Sequence, residues 1–169
     1  MPTLIPHRWL DGSGPRHAVF HPILPLVYVA NELNCTMTVW ALDKDSGALT
    51  PLNTIPTVPD GLAGESSAAG IVLHPSANVL YVSNRGHNSI CVVRLDQQTG
   101  MPDQREWVST QGDFPRFICL DPQGRHLCAA NERSDTVVQS AIDQASGNLA
   151  PTGHVIDTGS PVSIVFKTT

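Results

Sequence analysis

Tyr28-Val29-Ala30-Asn31-Glu32 returns as Tyr81-Val82-Ser83-Asn84-Arg85, and again as Cys128-Ala129-Ala130-Asn131-Glu132. The steps are 53 residues (28 to 81) and 47 residues (81 to 128). His21-Pro22, His74-Pro75 and Asp121-Pro122 keep both steps. So do Gly47, Gly100 and Gly147, each closing a turn that begins at Asp43, Asp96 or Asp143. Three independent landmarks that agree on both spacings mark three copies of one unit of roughly 50 residues, the size of a propeller blade.

The unit is all β. Proline and glycine punctuate the chain too often for helices, and the apolar segments between them are short and rich in Val and Ile. Four strands are expected in the first unit, over Arg16 to Phe20, Val27 to Asn31, Thr36 to Leu42 and Leu49 to Thr54. A turn at Pro22 to Pro25 joins the first two, because proline pre-sets φ and cannot donate to a central ladder. The expected fold is an all-β propeller of four-stranded antiparallel blades, present in part. Its units run over 14–66, 67–113 and 114–159, after a lead-in over 1–13. A closing strand is expected over 160–169, starting Ser160-Pro161-Val162-Ser163-Ile164-Val165-Phe166.

Composition narrows the function. Among 169 residues, 10 Lys and Arg face 15 Asp and Glu, for a formal charge of −5, and no basic run is present to neutralise phosphates. Nucleic acid is therefore not an expected partner. The longest apolar run, Ile23 to Ala30, contains a proline and falls far short of the roughly 20 residues of a spanning helix, so no membrane is expected either. Met1 to Asp11 lacks the apolar stretch of a signal peptide, which points to the cytoplasm. Cys35, Cys91, Cys119 and Cys128 form no CxxC pair and no disulfide framework; free buried thiols are expected, with no zinc and no cofactor.

Hairpin geometry places the charged residues. A first hairpin symmetric about residues 23 and 24 sets Arg16 opposite Asn31, so the start of the inner strand and the loop after the second strand share one rim. That rim gathers Arg16, His17 and Glu32 from the first unit, Arg85 and His87 from the second, and Arg116, Glu132 and Arg133 from the third. In a chain this poor in charge, such a cluster suits a small anionic ligand, with guanidinium forks for carboxylate or phosphate and a carboxylate or imidazole as base. Glu132 and Arg133 read more readily as surface charges recurring by repeat descent. Arg16 follows Gly14-Pro15, which stiffens its presentation. His21 and His74 precede turn prolines on the opposite rim and are expected to be structural. His7, His126 and His154 receive no role. The same hairpin arithmetic sets Cys119 opposite Cys128.

These residues resemble the seven-bladed propeller lactonase family, which holds the cycloisomerase-type 6-phosphogluconolactonases and the 3-carboxy-cis,cis-muconate lactonizing enzymes. The resemblance rests on Gly-Pro-Arg-His-x-x-Phe-His-Pro (Gly14 to Pro22), Tyr-x-x-Asn-Glu (Tyr28 to Glu32) and Tyr-Val-Ser-Asn-Arg-Gly-His-Asn-Ser-Ile (Tyr81 to Ile90). Phe-Pro-Arg (Phe114 to Arg116), Ala-Asn-Glu (Ala130 to Glu132) and Gly-Ser-Pro-Val (Gly159 to Val162) extend it. It covers the C-terminal half of such a propeller. It implies Arg16 and Glu32 in the active site, Arg85 as a further anion-binding arginine and His17 as their neighbour. The implied activity is hydrolysis of a sugar-acid lactone, 6-phosphogluconolactone. Arg85 and Arg116 would hold phosphate or acid groups with His87 beside them, Arg16 would polarise the carbonyl, and Glu32 or a neutral His17 would activate water. Lactonization of a carboxymuconate is the alternative, and a non-catalytic binding surface is a third reading. No Gly-x-Ser-x-Gly elbow supports a serine nucleophile. Three blades cannot close a ring, so a second copy or a separate N-terminal half is the expected partner.

Overall fold

The computed structural model describes residues 11–167. Twelve strands are present: β1 Pro15–Phe20, β2 Leu26–Asn31, β3 Thr36–Leu42, β4 Leu49–Pro56, β5 Ser67–Leu73, β6 Val79–Arg85, β7 Ser89–Leu95, β8 Pro102–Ser109, β9 Pro115–Leu120, β10 His126–Asn131, β11 Thr136–Ile142 and β12 Leu149–Asp157. They form three antiparallel sheets in the orders β1-β2-β3-β4, β5-β6-β7-β8 and β12-β11-β10-β9. Each sheet is one sequence repeat, and the four expected strands of the first unit match within two residues at each end. Residues 160–167, the described part of the expected closing strand, differ from expectation: they carry no strand. A strand is defined by a neighbour that pairs with its N–H and C=O groups, and among the described residues this segment makes no such ladder. Residues 1–10 of the expected lead-in, with His7, and residues 168–169 lie outside the described part.

Alternation of side chains across each strand explains how the blades stack. Tyr28, Met37 and Val39 face Leu80, Val82 and Val93 of the second blade in one buried cluster. Tyr81, Ile90 and Val92 point the other way and meet Ile118, Leu127 and Ala129 of the third. The second strand of each blade is thus apolar on both faces, and β2 and β6 are buried along their whole length.

Recurring polar contacts set the blade-to-blade register. The Tyr28 hydroxyl donates to the Gly100 carbonyl at 2.9 Å, and the Tyr81 hydroxyl to the Gly147 carbonyl at 2.8 Å. Burial pushes the Tyr28 phenol up to about 12, which keeps it a donor at any physiological pH. The acceptor turns need glycine twice over. Gly147 has φ +76°, and a Cβ there would stand 2.5 Å from Val79 Cγ2. At the strand ends, Asn84 Nδ2 donates to the Thr57 carbonyl at 2.8 Å and Asn131 Nδ2 to the Thr110 carbonyl at 3.4 Å, each reaching the preceding linker. On the opposite rim, His74 Nε2 lies 2.8 Å from the Gly124 carbonyl, while His21 Nδ1 accepts from Ile23 and Leu24 N–H. Both histidines are structural, as expected. Where these two units use histidine, the third uses Asp121, whose carboxylate accepts from the Arg125 N–H and pairs with His126 at 2.9 Å. The third unit also replaces the tyrosine with Cys128, which pairs directly across the ladder with Cys119. All four cysteines are free thiols, and burial pushes Cys119 up to about 11.

Tyr81→Phe removes one hydroxyl and strands a buried carbonyl. It should cost about 1–3 kcal/mol, read as a lowered urea midpoint with an unchanged denaturant slope; an unaltered midpoint would show that the contact does not hold the blades in register.

Candidate functional site

Two of the site arginines owe their placement to bulges. The first hairpin runs in the expected register from His17↔Ala30 to Phe20↔Val27, but Pro15 rather than Arg16 stands opposite Asn31. Arg16 is the extra residue of a β-bulge. The third blade repeats this: Phe117↔Ala130 is followed by Pro115↔Asn131, leaving Arg116 unpaired. A bulge bends its strand and re-aims the side chain it carries, and such features concentrate beside functional sites. The second blade also slips register, between Ala68 and Ile71, but at Ala69-Gly70. Its arginine, Arg85, comes instead from the end of β6.

Glu32 is the centre of the cluster. Its backbone is anchored on both sides, the N–H to the Gly14 carbonyl at 2.7 Å and the carbonyl to the Ala68 N–H at 3.2 Å. Arg85 Nη2 reaches Glu32 Oε1 at 2.5 Å and also donates to the Ala68 carbonyl at 3.3 Å. Arg16 Nε stands 3.6 Å from Glu32 Oε2. Arg85 is 6% exposed, Arg16 17% and Glu32 32%, so the ion pair between blades one and two is sheltered at its cationic end and open at its carboxylate.

The charges act on one another through this geometry. The hydrogen bond from Arg85 holds the Glu32 carboxyl below the usual carboxylate range, against the opposing effect of burial, and the positive charges of Arg16 and Arg116 act in the same direction. Burial and the neighbouring Arg85 both lower Arg16. His17 sits beside Arg16, with Nδ1 3.3 Å from Arg16 Nη1. Burial and the Arg16 charge lower it, so the ring is neutral near pH 7. An arginine can only donate, so this contact uses the Nδ1 lone pair and leaves the proton on Nε2. His17 is thereby better placed to donate than to accept.

Arg116 binds Glu132, Nη1 to Oε2 at 3.3 Å, rather than Glu32. His87 stands apart, with Nδ1 2.7 Å from Ser89 Oγ. The structure thus brings together Arg16, His17, Glu32 and Arg85, sets Arg116 close enough for its charge to be felt, and places His87 on a separate contact. One group had no role in the sequence reading: the Phe114 ring, which lies 5.1 Å from the Arg85 Cζ and 3.8 Å from the Arg133 Cζ. Phe-Pro-Arg marked the position, but nothing in the spacing showed the ring between two guanidiniums. Beside Arg16 and His17 a cavity of about 370 Å³ opens, walled by Phe20, Val27, Val29 and Leu42. Its apolar walls suit blade packing better than an anion. Among the described residues no group of three or more His, Cys, Asp or Glu side chains is arranged to hold a metal.

Fold and rim together define a partial β-propeller with a guanidinium-rich site anchored on one carboxylate. The chain belongs to the family described as Lactonase, 7-bladed beta-propeller, which it matches over residues 6–166. It is 31% identical over 160 residues to the 6-phosphogluconolactonase of Bacillus subtilis, covering 95% of this chain and 46% of that protein. Against the 6-phosphogluconolactonase of Pectobacterium atrosepticum it is 33% identical over 144 residues, 84% of this chain and 42% of the relative. Among solved structures, the periplasmic gluconolactonase of Pseudomonas aeruginosa superposes with a TM-score of 0.85 at 31% identity, over 91% of this chain and 42% of that one. The chain therefore spans less than half the length of the curated relatives it matches.

The lowered groups make stability pH-dependent. The fold disfavours protonated His17, so the unfolded chain takes up the proton first. Stability falls as pH drops below the ordinary histidine value of about 6.5, a window that His21, also lowered by burial, shares. Glu32 acts further down: its contribution is present above the ordinary carboxylate range and disappears as pH falls through its lower folded value. Urea unfolding in a pH series should show His17→Asn flattening the upper part of this slope and Glu32→Gln flattening the lower. An unchanged upper slope in His17→Asn would mean that the ring is not held neutral.

Proposed function

We propose that this chain carries the active site of a lactone hydrolase that opens a sugar-acid lactone, 6-phosphogluconolactone, to 6-phosphogluconate. The observation that carries this reading is one carboxylate, Glu32, held by Arg85 at 2.5 Å and flanked by Arg16, with Arg116 adding a third guanidinium charge, in a chain of net charge −5. Excess positive charge in one sheltered place calls for an anion. The 6-phosphogluconolactonases among its relatives give the anion a chemical identity.

Arg85 and Arg116 bind the phosphate and acid hydroxyls. Arg16, bulged toward the site, donates to the lactone carbonyl and stabilises the oxyanion as water adds. Glu32 accepts the proton of the attacking water. Its lowered affinity for protons makes it a modest base, but one that is ionised throughout the physiological range, with Oε2 open beside Arg16. His17, neutral and with its proton on Nε2, donates to the oxyanion or to a lactone oxygen. The tetrahedral intermediate then collapses, the ring C–O bond breaks, and the departing alkoxide takes the proton held by Glu32.

Four free cysteines suit a reducing compartment and support a cytoplasmic location. Further blades, from a second copy or from a separate stretch of chain, complete the ring around the site.

Lactone hydrolysis, followed as acid release above the spontaneous rate, tests the assignment. Arg16→Ala and Glu32→Gln should each lower kcat by about 100-fold, while Arg85→Ala should act mainly on KM. With Glu32 as base, the rate should stay level through pH 6–7, with no histidine-like inflection there. Wild-type rates in both Arg16→Ala and Glu32→Gln would remove the assignment. Turnover of a carboxymuconate with none of the phosphogluconolactone would move it to the cycloisomerase reading.

A further inference from the structure

Phe114 occupies a backbone conformation that its type avoids. Its φ is +64°, in the left-handed region, and it precedes Pro115, which normally drives the residue before it to an extended conformation. The corresponding residue of the first blade is Gly14, φ +61°, before Pro15. There the turn forms with no side chain at all, and Leu33 fills the space instead, its Cγ 2.5 Å from where a Gly14 Cβ would be. In the third blade the filling is exchanged: a ring stands at 114, and Arg133, the counterpart of Leu33, stacks on it at 3.8 Å. The turn itself therefore does not require an aromatic residue.

The strained conformation is held from outside. The Phe114 N–H donates to Asn88 Oδ1 at 2.9 Å, across the boundary between the second and third blades, and Asn88 Nδ2 donates to Asp113 Oδ1 at 2.8 Å. On the other side, the Glu132 N–H donates to the Phe114 carbonyl at 3.0 Å and the Arg133 N–H to the Asp113 carbonyl at 3.1 Å. Strain that the surroundings over-determine in this way is characteristic of functional positions. What it produces here is a half-buried ring with the guanidinium of Arg85 5.1 Å from its centre. Arg85 needs such support, because its Nε is buried with no hydrogen-bond partner and its known contacts run through Nη2 alone.

We propose that Phe114 is a positioning residue for the anion site: its pinned, left-handed backbone lays the ring against the Arg85 guanidinium and holds that fork on Glu32. The quadrupole of the ring attracts the cation without using any of its N–H donors, which leaves Nη2 to the Glu32 carboxylate. Arg133, stacked on the same ring and exposed, adds a second donor-rich cation at the mouth of the site. This role rests on the proposed anion site for its consequence, but the placement of Arg85 can be read without any substrate.

Three variants separate the ring from the strain. Phe114→Leu keeps a bulky side chain at positive φ and removes the ring face, Phe114→Tyr keeps the ring, and Phe114→Gly relieves the backbone and removes everything else. Hydrogen exchange of the Arg85 Nε–H, followed by NMR, should accelerate about tenfold in Phe114→Leu and Phe114→Gly and stay near wild type in Phe114→Tyr. Binding of 6-phosphogluconate, followed by calorimetry, should weaken about tenfold in the same two variants, and the lactone KM should rise with kcat held within a factor of two. Wild-type exchange in both Phe114→Leu and Phe114→Gly, or accelerated exchange in Phe114→Tyr, would overturn the proposal. If exchange responds as expected while the wild-type chain binds no phosphogluconate, the positioning role stands and the lactonase reading fails.

Discussion

Strand ladders hold each blade together, but no ladder runs from one blade to the next. The stack depends on side-chain packing between sheet faces, and such packing is tolerant of sliding. What removes the tolerance is a small set of directional contacts: Tyr28 to Gly100, Tyr81 to Gly147, His74 to Gly124 and Asn84 to Thr57. These contacts matter to chemistry because the site is distributed. Glu32 and Arg16 come from the first blade, Arg85 from the second, and Phe114, Arg116 and Arg133 from the third. A slip of one blade against the next would draw Arg85 away from Glu32. Buried phenols and carbonyls, each costly to leave unpaired, hold the blades in the register that keeps the pair together.

Electrostatics explains why a carboxylate stands among these arginines. Three guanidiniums close together repel one another, and burial adds to the cost, as the lowering of Arg16 by both burial and Arg85 shows. Glu32 offsets part of that repulsion and fixes two of the forks, and Glu132 holds the third, yet three guanidiniums against two carboxylates leave net positive charge. The balance is asymmetric in space. Arg85 is 6% exposed whereas Arg116 is 40% exposed, so the deep end is held more firmly by the protein than the shallow end. An arrangement satisfied wholly by its own carboxylates would be a structural ion network; here the donors outnumber the acceptors.

The repeat spacings of 53 and 47 made the blades, their strands and their shared rim legible from the sequence, and even the opposition of Cys119 and Cys128 followed from hairpin symmetry. The bulges were not legible. Symmetry assumes an unbroken ladder, and the extra residue at Arg16 and Arg116 is visible only where the backbone departs from it. Phe114 escaped for a related reason: a residue before proline reads as extended, and the hydrogen bonds that hold its positive φ come from residues distant in sequence, among them Asn88 of another blade. The segment from Ser160 read as the first strand of a fourth copy, but a repeat pattern cannot supply the neighbouring edge that a strand requires.

The two bulged arginines carry a further consequence of repeat architecture. The first and third blades share one local geometry, a proline followed by an arginine lifted out of the ladder, so the unit offers a guanidinium at the rim wherever that pair is kept. The second blade lacks the pair at its bulge, where Gly70 packs its backbone against Ile118, and supplies its arginine from the neighbouring strand end instead. That substitution changes what the arginine can do. A bulged arginine projects from a strand start and is more open to solvent than Arg85, slightly so for Arg16 and clearly so for Arg116. Arg85, at the end of a fully buried strand, is walled in by the Ala68 carbonyl, Glu32 and the Phe114 ring. The break in the repeat, rather than the repeat itself, is what makes the site asymmetric, and an asymmetric site can orient a substrate whose two ends differ.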